Sequence, residues 1–301
     1  MDNTSNKDTI LLSGRDFTAQ DLWIVTETVR RFPKLSRREL AQTICENLSW
    51  VTPNGRNKIK SCMQLLEKLH TEGKVNLPPK KGSAKQVSRQ IIPTSETDPS
   101  GEIAKNIDEL GIEVQPVFIG SEMHLWNQYV ERYHTLGYKQ PFGAHQRYFI
   151  ESRDGDRLGC LLFSASAWAL AARDQWIGWT KEDRSRRLHL VVNNTRFLVF
   201  PWVHVKNLAS KSLSLAIKRI RPDWQERYNY QPVLLETFVD TEQYEGTSYR
   251  AANWIYLGQT AGRGRMDRHT KRGLSVKKIY VYPLVPDFRA HLCGEAGVRD
   301  E

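Results

Sequence analysis

The sequence predicts a mixed α/β (α+β) protein, in which a small helical domain precedes a larger domain built on a mixed sheet. Three observations carry this prediction. Helical periodicity dominates residues 1–78. A stretch rich in Pro, Ser, Gly and charged residues occupies positions 79–112 and predicts a flexible linker. Strand-length apolar runs alternate with helical patterns over residues 113–290, so we expect two unequal domains in this chain of 301 residues.

The first domain is predicted to contain three helices. Thr18 is in the position of an N-cap for the first helix. Ser36 and Glu39 form a capping box at the start of the second, because each side chain reaches the free backbone N–H of the other. The third helix is predicted to start after Thr52 and to run to about Glu72.

A short turn near residues 49–51 separates the second and third predicted helices. This order is typical of a helix-turn-helix, and residues 73–77 add a candidate strand for a winged version. The polar face of the third helix carries amides and cations, which read base edges and phosphates in DNA complexes. The residues predicted to bind DNA here are Asn57, Lys60, Gln64 and Lys68. The alternative interpretation is a basic face that is merely solvated.

The larger domain follows the order β-α-β-β-(α)-β-α-β-α-β. A helix is predicted to stop before Pro222, and the last helix is predicted within residues 246–258. This order resembles the GNAT acyltransferase fold, which implies a GNAT-like mixed sheet with helices on both faces. In that family a glycine-rich turn holds the phosphates of acyl-CoA. The corresponding turn at residues 203–212 has no glycine, so acyl transfer is the last of three functions that we consider.

Four stretches carry a second resemblance: "YHTLGY" (133–138), "GCLLFSASAWALAARDQWIGW" (159–179), "NNTRFLVFPWVHVKNLASKSLS" (193–214) and "LLETFVDTEQYEGTSYRAANWIYLGQTAGRGR" (234–265). In these stretches the chain resembles the DruA family of the Druantia anti-phage defence system, which has transposase-associated relatives. The resemblance implies a role in anti-phage defence or in a mobile element. It implies phage or mobile-element DNA as a partner, together with other defence-system subunits.

The charge of the chain agrees with a polyanionic partner. The net charge is +10 and the isoelectric point is about 9.4. Basic residues are concentrated from residue 263 onward, next to Gly262 and Gly264. These two glycines would let the backbone approach a phosphate closely. The residues of this loop predicted to bind nucleic acid are Arg263, Arg265, Arg268, Lys271 and Arg272. A solvated loop is again the alternative.

Two carboxylates in the strand-like run "PVLLETFVD" are candidate catalytic residues. Glu236 lies among apolar neighbours and Asp240 lies at the end of the run on the same side. If these carboxylates bind magnesium or manganese, the chain would be a metal-dependent DNA nickase or a transposase-like nuclease. This is the second of the three functions that we consider, after DNA binding. The alternative is that Glu236 pairs with a buried arginine, either Arg250 or Arg196, and that Asp240 caps either the helix predicted at 247–256 or the loop "TEQYEG" (241–246).

The spacing of the cysteines and the hydropathy of the chain indicate in which cellular compartment we expect the protein. None of the four cysteines forms a C-x-x-C pair, which argues against zinc. The chain shows no leader-like start and no apolar run near the roughly 20 residues of a membrane helix. We therefore expect reduced thiols, a cytoplasmic location and no membrane partner.

Overall fold

The computed structural model divides into two compact units, residues 1–85 and 86–301. The residues that the structure describes are 10–12, 15–33, 35–52, 57–79, 91–118, 120–141, 143–260 and 275–293. Among them, no helix is both long enough and apolar enough to cross a bilayer.

The first unit contains a short hairpin and three helices. Its elements are β1 (Ile10–Leu12), β2 (Arg15–Phe17), α1 (Ala19–Arg31), α2 (Arg37–Asn47) and α3 (Ile59–Thr71). The first two of the three predicted helix starts are observed. Thr18 forms a capping box with Asp21, and Ser36 forms one with Glu39. The buried face of α3 packs around Leu65 and Leu66, which are both fully buried.

The connection between α2 and α3 is longer than the sequence suggests. The third helix begins at Ile59 rather than just after Thr52, so residues 48–58 separate the two helices. A β-bridge joins Val51 to Asn57, and the Lys58 N–H donates to the Trp50 carbonyl at 3.0 Å. Trp50, near the start of this connection, is buried against Phe17. Residues 73–77, the candidate strand of a winged version, form no strand.

The second unit is built on one sheet of seven strands. The strands are β3 (Glu113–Val117), β4 (His145–Glu151), β5 (Arg157–Ala165), β6 (Val191–Val199), β7 (Leu234–Asp240), β8 (Ile255–Gln259) and β9 (Lys277–Pro283). Their spatial order is β3-β4-β5-β6-β7-β9-β8. Only β6 and β7 pair in parallel among these described strands, which confirms the predicted mixed sheet.

Helices cover both faces of this sheet. They are α4 (Ile107–Leu110), α5 (Ser121–Tyr133), α6 (Ala171–Ile177), α7 (Lys181–Arg187), α8 (Leu208–Tyr228), α9 (Thr247–Ala251) and α10 (Phe288–Leu292). Tyr129 of α5 packs edge-on against Phe149, with ring centroids 6.1 Å apart. The preceding strand residue, Tyr148, lies near Asp223 of α8 instead: burial and this carboxylate raise the pKa of Tyr148. Because consecutive strand side chains point to opposite faces, α5 and α8 lie on opposite sides of the sheet.

Two elements differ from the sequence prediction. Pro222 lies inside α8, which continues to Tyr228 because the last turns bury Trp224 and Tyr228 against the unit. The helix predicted within residues 246–258 is only the five-residue α9. Asn253 then adopts a left-handed φ of 62°, and β8 follows as the edge strand beside β9.

The second half of the predicted linker belongs to the second unit. Thr97 is fully buried, and its carbonyl accepts from the Tyr133 hydroxyl at 2.8 Å. Ile103 forms a parallel bridge to Val203. The described residues from 91 to 112 therefore pack on the sheet domain rather than forming a tether.

Candidate functional site

Glu236 lies in the interior of the sheet. It is in the middle of β7 and is fully buried. Its Oε2 accepts from Nη1 of Arg173 at 2.8 Å, and its Oε1 accepts from the Ala167 N–H at 2.8 Å. Both carboxylate oxygens are thus occupied by protein donors, which is what burial of a charge requires.

Arg173 links this carboxylate to a second one. Its Nε and Nη2 donate to Oδ1 of Asp174 at 2.9 and 2.7 Å. Asp174 also pairs with Arg184 at 2.7 Å. Burial lowers the pKa of Arg173, but Glu236 and Asp174 outweigh it, so that the pKa is raised. The sequence suggested Arg250 or Arg196 as the partner of Glu236, whereas the structure places Arg173 there, from a helix 63 residues away along the chain.

Asp240 has different surroundings. It ends β7, where its Oδ2 accepts from the Ser275 hydroxyl at 2.6 Å and its Oδ1 from the Glu242 N–H at 3.1 Å. The Ser275 hydrogen bond lowers the pKa of Asp240. Four strand residues separate Asp240 from Glu236, which is about 13 Å along the strand. Within the described part of the chain, no three His, Cys, Asp or Glu residues are grouped to hold a metal ion.

The parallel strands β6 and β7 pair only over their first half. The last register pair is Asn194 with Thr237, beyond which the two strands no longer pair. The Tyr249 hydroxyl of α9 donates a hydrogen bond to Oδ1 of Asn194 at 2.6 Å. It accepts one from the Thr237 hydroxyl at 3.4 Å. Burial raises the pKa of Tyr249 to about 12, so it stays a neutral donor. A buried aromatic ring therefore lies where the pairing of the two strands ends.

The turn that precedes α8 is also free of glycine in the folded chain. Asn207 forms its last residue with a left-handed φ of 65° and makes no capping hydrogen bond through its side chain. The turn thus offers no glycine backbone to a pyrophosphate.

The predicted DNA-binding residues of the first unit separate into two groups. Lys60, Gln64 and Lys68 are exposed at four-residue spacing along one side of α3, as predicted. Lys68 lies 3.9 Å from a carboxylate oxygen of Glu72. Asn57 precedes the helix, and its side-chain amide donates to Glu46 at 2.9 Å, so it is bound to α2 and not available on that row. The residues of the basic loop, Arg263, Arg265, Arg268, Lys271 and Arg272, lie outside the described residues.

A second basic row was missed from the sequence. Along the outside of α8, Lys211 and Lys218 are exposed and Arg221 is half-buried. Their spacings of seven and three residues place them on one side of the helix. The signal was present in the sequence, because "KSLSLAIKRIR" repeats its cations with a helical period.

Comparison with known proteins places this architecture in a family. The family described as "Druantia protein DruA" matches residues 66–272, more than half of the chain. The chain belongs to the DruA family. The matched part of this DruA-family chain begins within α3 and includes Glu236, Tyr249 and the whole of α8. No curated protein matches the sequence.

Solved structures similar to the chain include acetyltransferases. A chimera of the spermidine N-acetyltransferase SpeG from Vibrio cholerae and hSSAT is 9% identical with a TM-score of 0.37, over 57% of this chain and 95% of that one. The spermidine N-acetyltransferase from Vibrio cholerae in complex with CoA and spermine is 11% identical with a TM-score of 0.34, over 56% and 94%. The second unit keeps the order of elements that the sequence predicts, with β8 as an additional strand between α9 and β9.

Proposed function

We propose that this DruA-family chain is a DNA-binding component of an anti-phage defence or mobile-element system, acting in the cytoplasm on phage DNA together with other defence-system subunits. Family membership supports the biological setting. The observation that carries the DNA contact is the row of cations along the outside of α8, which lies inside the matched part of the chain.

The α8 row has the properties of a phosphate-binding surface. Lys211, Lys218 and Arg221 form no ion pair with any carboxylate of the described residues, and the Nε of Arg221 has no hydrogen-bond partner. Ten helical residues separate the first from the last, a rise of about 15 Å. A DNA strand carries one phosphate per about 3.4 Å of helix axis, so the row spans several consecutive phosphates. Contacts of this kind add affinity without base specificity.

The exposed row of α3 supplies the second proposed contact. Lys60, Gln64 and Lys68 combine two cations with an amide, which suits phosphates and base edges together. The basic loop at residues 263–272 is the third proposed contact, on the strength of its sequence alone. The isoelectric point of about 9.4 agrees with this partner for the whole chain.

A charge-matched comparison tests the proposal. The Lys211→Gln, Lys218→Gln, Arg221→Gln variant is compared with a Lys105→Gln, Lys139→Gln, Lys181→Gln control, and both lose three positive charges. The three lysines of the control are exposed, and none belongs to α8.

The measured quantity is the dissociation constant for a fluorescent DNA duplex at 0.1 M salt, read by anisotropy. Loss of three phosphate contacts weakens binding about a hundredfold, whereas the control changes it only slightly. Equal losses in both variants would mean that net charge, and not the α8 row, attracts DNA.

A further inference from the structure

Two arginines lie in one row on one face of the sheet. Arg147 of β4 pairs with Leu162 of β5, and Leu162 pairs with Arg196 of β6. Residues that pair directly across strands project their side chains to the same face. The two arginines are separated by two strand spacings, which is about 10 Å between their backbones.

Arg147 is buried without a counter-ion. It is 2% exposed, and its Nε has no hydrogen-bond partner. Its other contacts are the Tyr138 hydroxyl, 3.4 Å from Nη2, and the ring of Trp126, whose centroid lies 5.4 Å from the guanidinium carbon. Burial lowers its pKa, and the nearby Arg227 acts in the same direction.

Arg196 is similar but reaches solvent. It is half-buried, and it donates from Nε to the Gly137 carbonyl at 3.2 Å and from Nη1 to the Thr195 carbonyl at 2.7 Å. Burial lowers its pKa as well. Neither arginine forms an ion pair with a carboxylate of the described residues.

Arg173 provides a comparison for Arg147, since both arginines are buried. Arg173 contacts the carboxylates of Asp174 and Glu236, and its pKa is raised. A buried cation without such partners is costly. The contrast indicates that Arg147 and Arg196 are arranged for an anion that the described residues do not supply.

One loop brings the two arginines to a common place. Gly137 and Tyr138 are adjacent residues, and the first contacts Arg196 while the second contacts Arg147. Glu131 accepts from the Tyr138 backbone N–H at 2.7 Å and so holds the loop. The guanidinium groups therefore approach the same short segment from two strands.

We propose that Arg147 and Arg196, with the Tyr138 hydroxyl, bind a phosphate dianion. Two guanidinium groups match two negative charges, and each presents its N–H donors in a fork that fits phosphate oxygens. A carboxylate would compensate only one of the two charges. The phosphate is either a small molecule, free or carried by a nucleotide, or the 5′-phosphate at a DNA end. This site lies on the sheet face and is separate from the α8 row, so it does not depend on the proposed DNA contacts.

The test measures phosphate binding by calorimetry and by the melting temperature, with sodium chloride of equal ionic strength as the reference. The variants are Arg147→Met and Arg196→Gln, and the control is Lys139→Gln, which removes a cation from an exposed position of the same loop. Each arginine variant is expected to weaken phosphate binding about tenfold to a hundredfold, and the control to bind like the unaltered chain. The proposal would be overturned if phosphate did not specifically stabilise the unaltered chain, or if both arginine variants bound phosphate as tightly as the unaltered chain.

A second readout separates binding from a structural role. Without phosphate, Arg147→Met is expected to melt at the same temperature as the unaltered chain or above it, because an uncompensated buried charge is removed. A large fall in melting temperature would show that Arg147 stabilises the fold instead. In that case Arg196→Gln, at a half-buried position, still decides whether phosphate binds.

Three further ligands identify the source of the phosphate. They are a deoxynucleoside 5′-monophosphate and two single-stranded oligonucleotides that differ only in a 5′-phosphate or a 5′-hydroxyl. Preference for the 5′-phosphorylated oligonucleotide, lost in Arg196→Gln, assigns a DNA end. Binding of the mononucleotide or of inorganic phosphate alone assigns a small molecule. The α8 variant should retain phosphate binding in either case, so failure of the DNA proposal is distinguished from failure of this one.

Discussion

Replacing Glu236 by glutamine tests the buried charge network directly. The carboxylate and Arg173 lie 2.8 Å apart, and both side chains are fully buried. Removing one partner of a buried pair costs about 3–5 kcal/mol. Asp174 still compensates part of the Arg173 charge, and the new amide oxygen can still accept from the Ala167 N–H. We therefore expect a loss of about 3 kcal/mol in the free energy of unfolding.

The assay is urea unfolding followed by circular dichroism at neutral pH. Asp240→Asn is the matched control, since it removes the carboxylate charge at the end of the same strand, where the side chain is partly exposed. It is expected to change stability by less than about 1 kcal/mol. A loss below about 1 kcal/mol for Glu236→Gln would refute the account of this carboxylate as the counter-ion of Arg173.

The other predictions concern pH, metal and acyl-CoA. Burial lowers the pKa of His145 to about 3 from a usual 6.5, so below pH 6.5 the unfolded chain binds the extra proton and stability falls. Between pH 7 and 5 we expect His145 to account for a loss of about 2 kcal/mol, and His145→Gln should remove this part of the pH dependence in urea titrations. Any magnesium- or manganese-dependent nicking of supercoiled plasmid should persist in Asp240→Asn, because the described acids form no metal cluster; loss of nicking would support Asp240 as a catalytic acid. Acetyl-CoA should leave the melting temperature unchanged, since the turn at 203–212 has no glycine; a rise would support acyl transfer.

The sequence predicts those parts of the fold that depend on local pattern. Apolar runs identify β6 and β7, and an N-cap threonine and a capping box mark the starts of two helices. The end of α8 and the strand β8 could not be read in the same way. Pro222 stops a helix only if no tertiary contact compensates, and here the burial of Trp224 and Tyr228 does. The edge strand β8 forms because β9 lies beside it, although its sequence continues a helical pattern.

Among the site residues, too, local pattern predicts some features, whereas others depend on tertiary contacts. The exposure of Lys60, Gln64 and Lys68 follows from helical period, and the structure agrees. The partner of Glu236 comes from a helix 63 residues earlier, and no local pattern specifies it. Arg147 and Arg196 come together only through the register of three strands, including an irregularity in the pairing of β5 with β6 next to Leu162. Register of this kind depends on the whole sheet.

The salt dependence of DNA binding tests the central claim most directly. The logarithm of the association constant is plotted against the logarithm of salt concentration for the unaltered chain, for the Lys211→Gln, Lys218→Gln, Arg221→Gln variant and for its charge-matched control. Each phosphate contact contributes a slope of about −0.9, so loss of the α8 row should make the slope shallower by about 2.7. The control should keep the slope of the unaltered chain. An unchanged slope in the α8 variant would contradict the proposal that this helix lies on the DNA backbone.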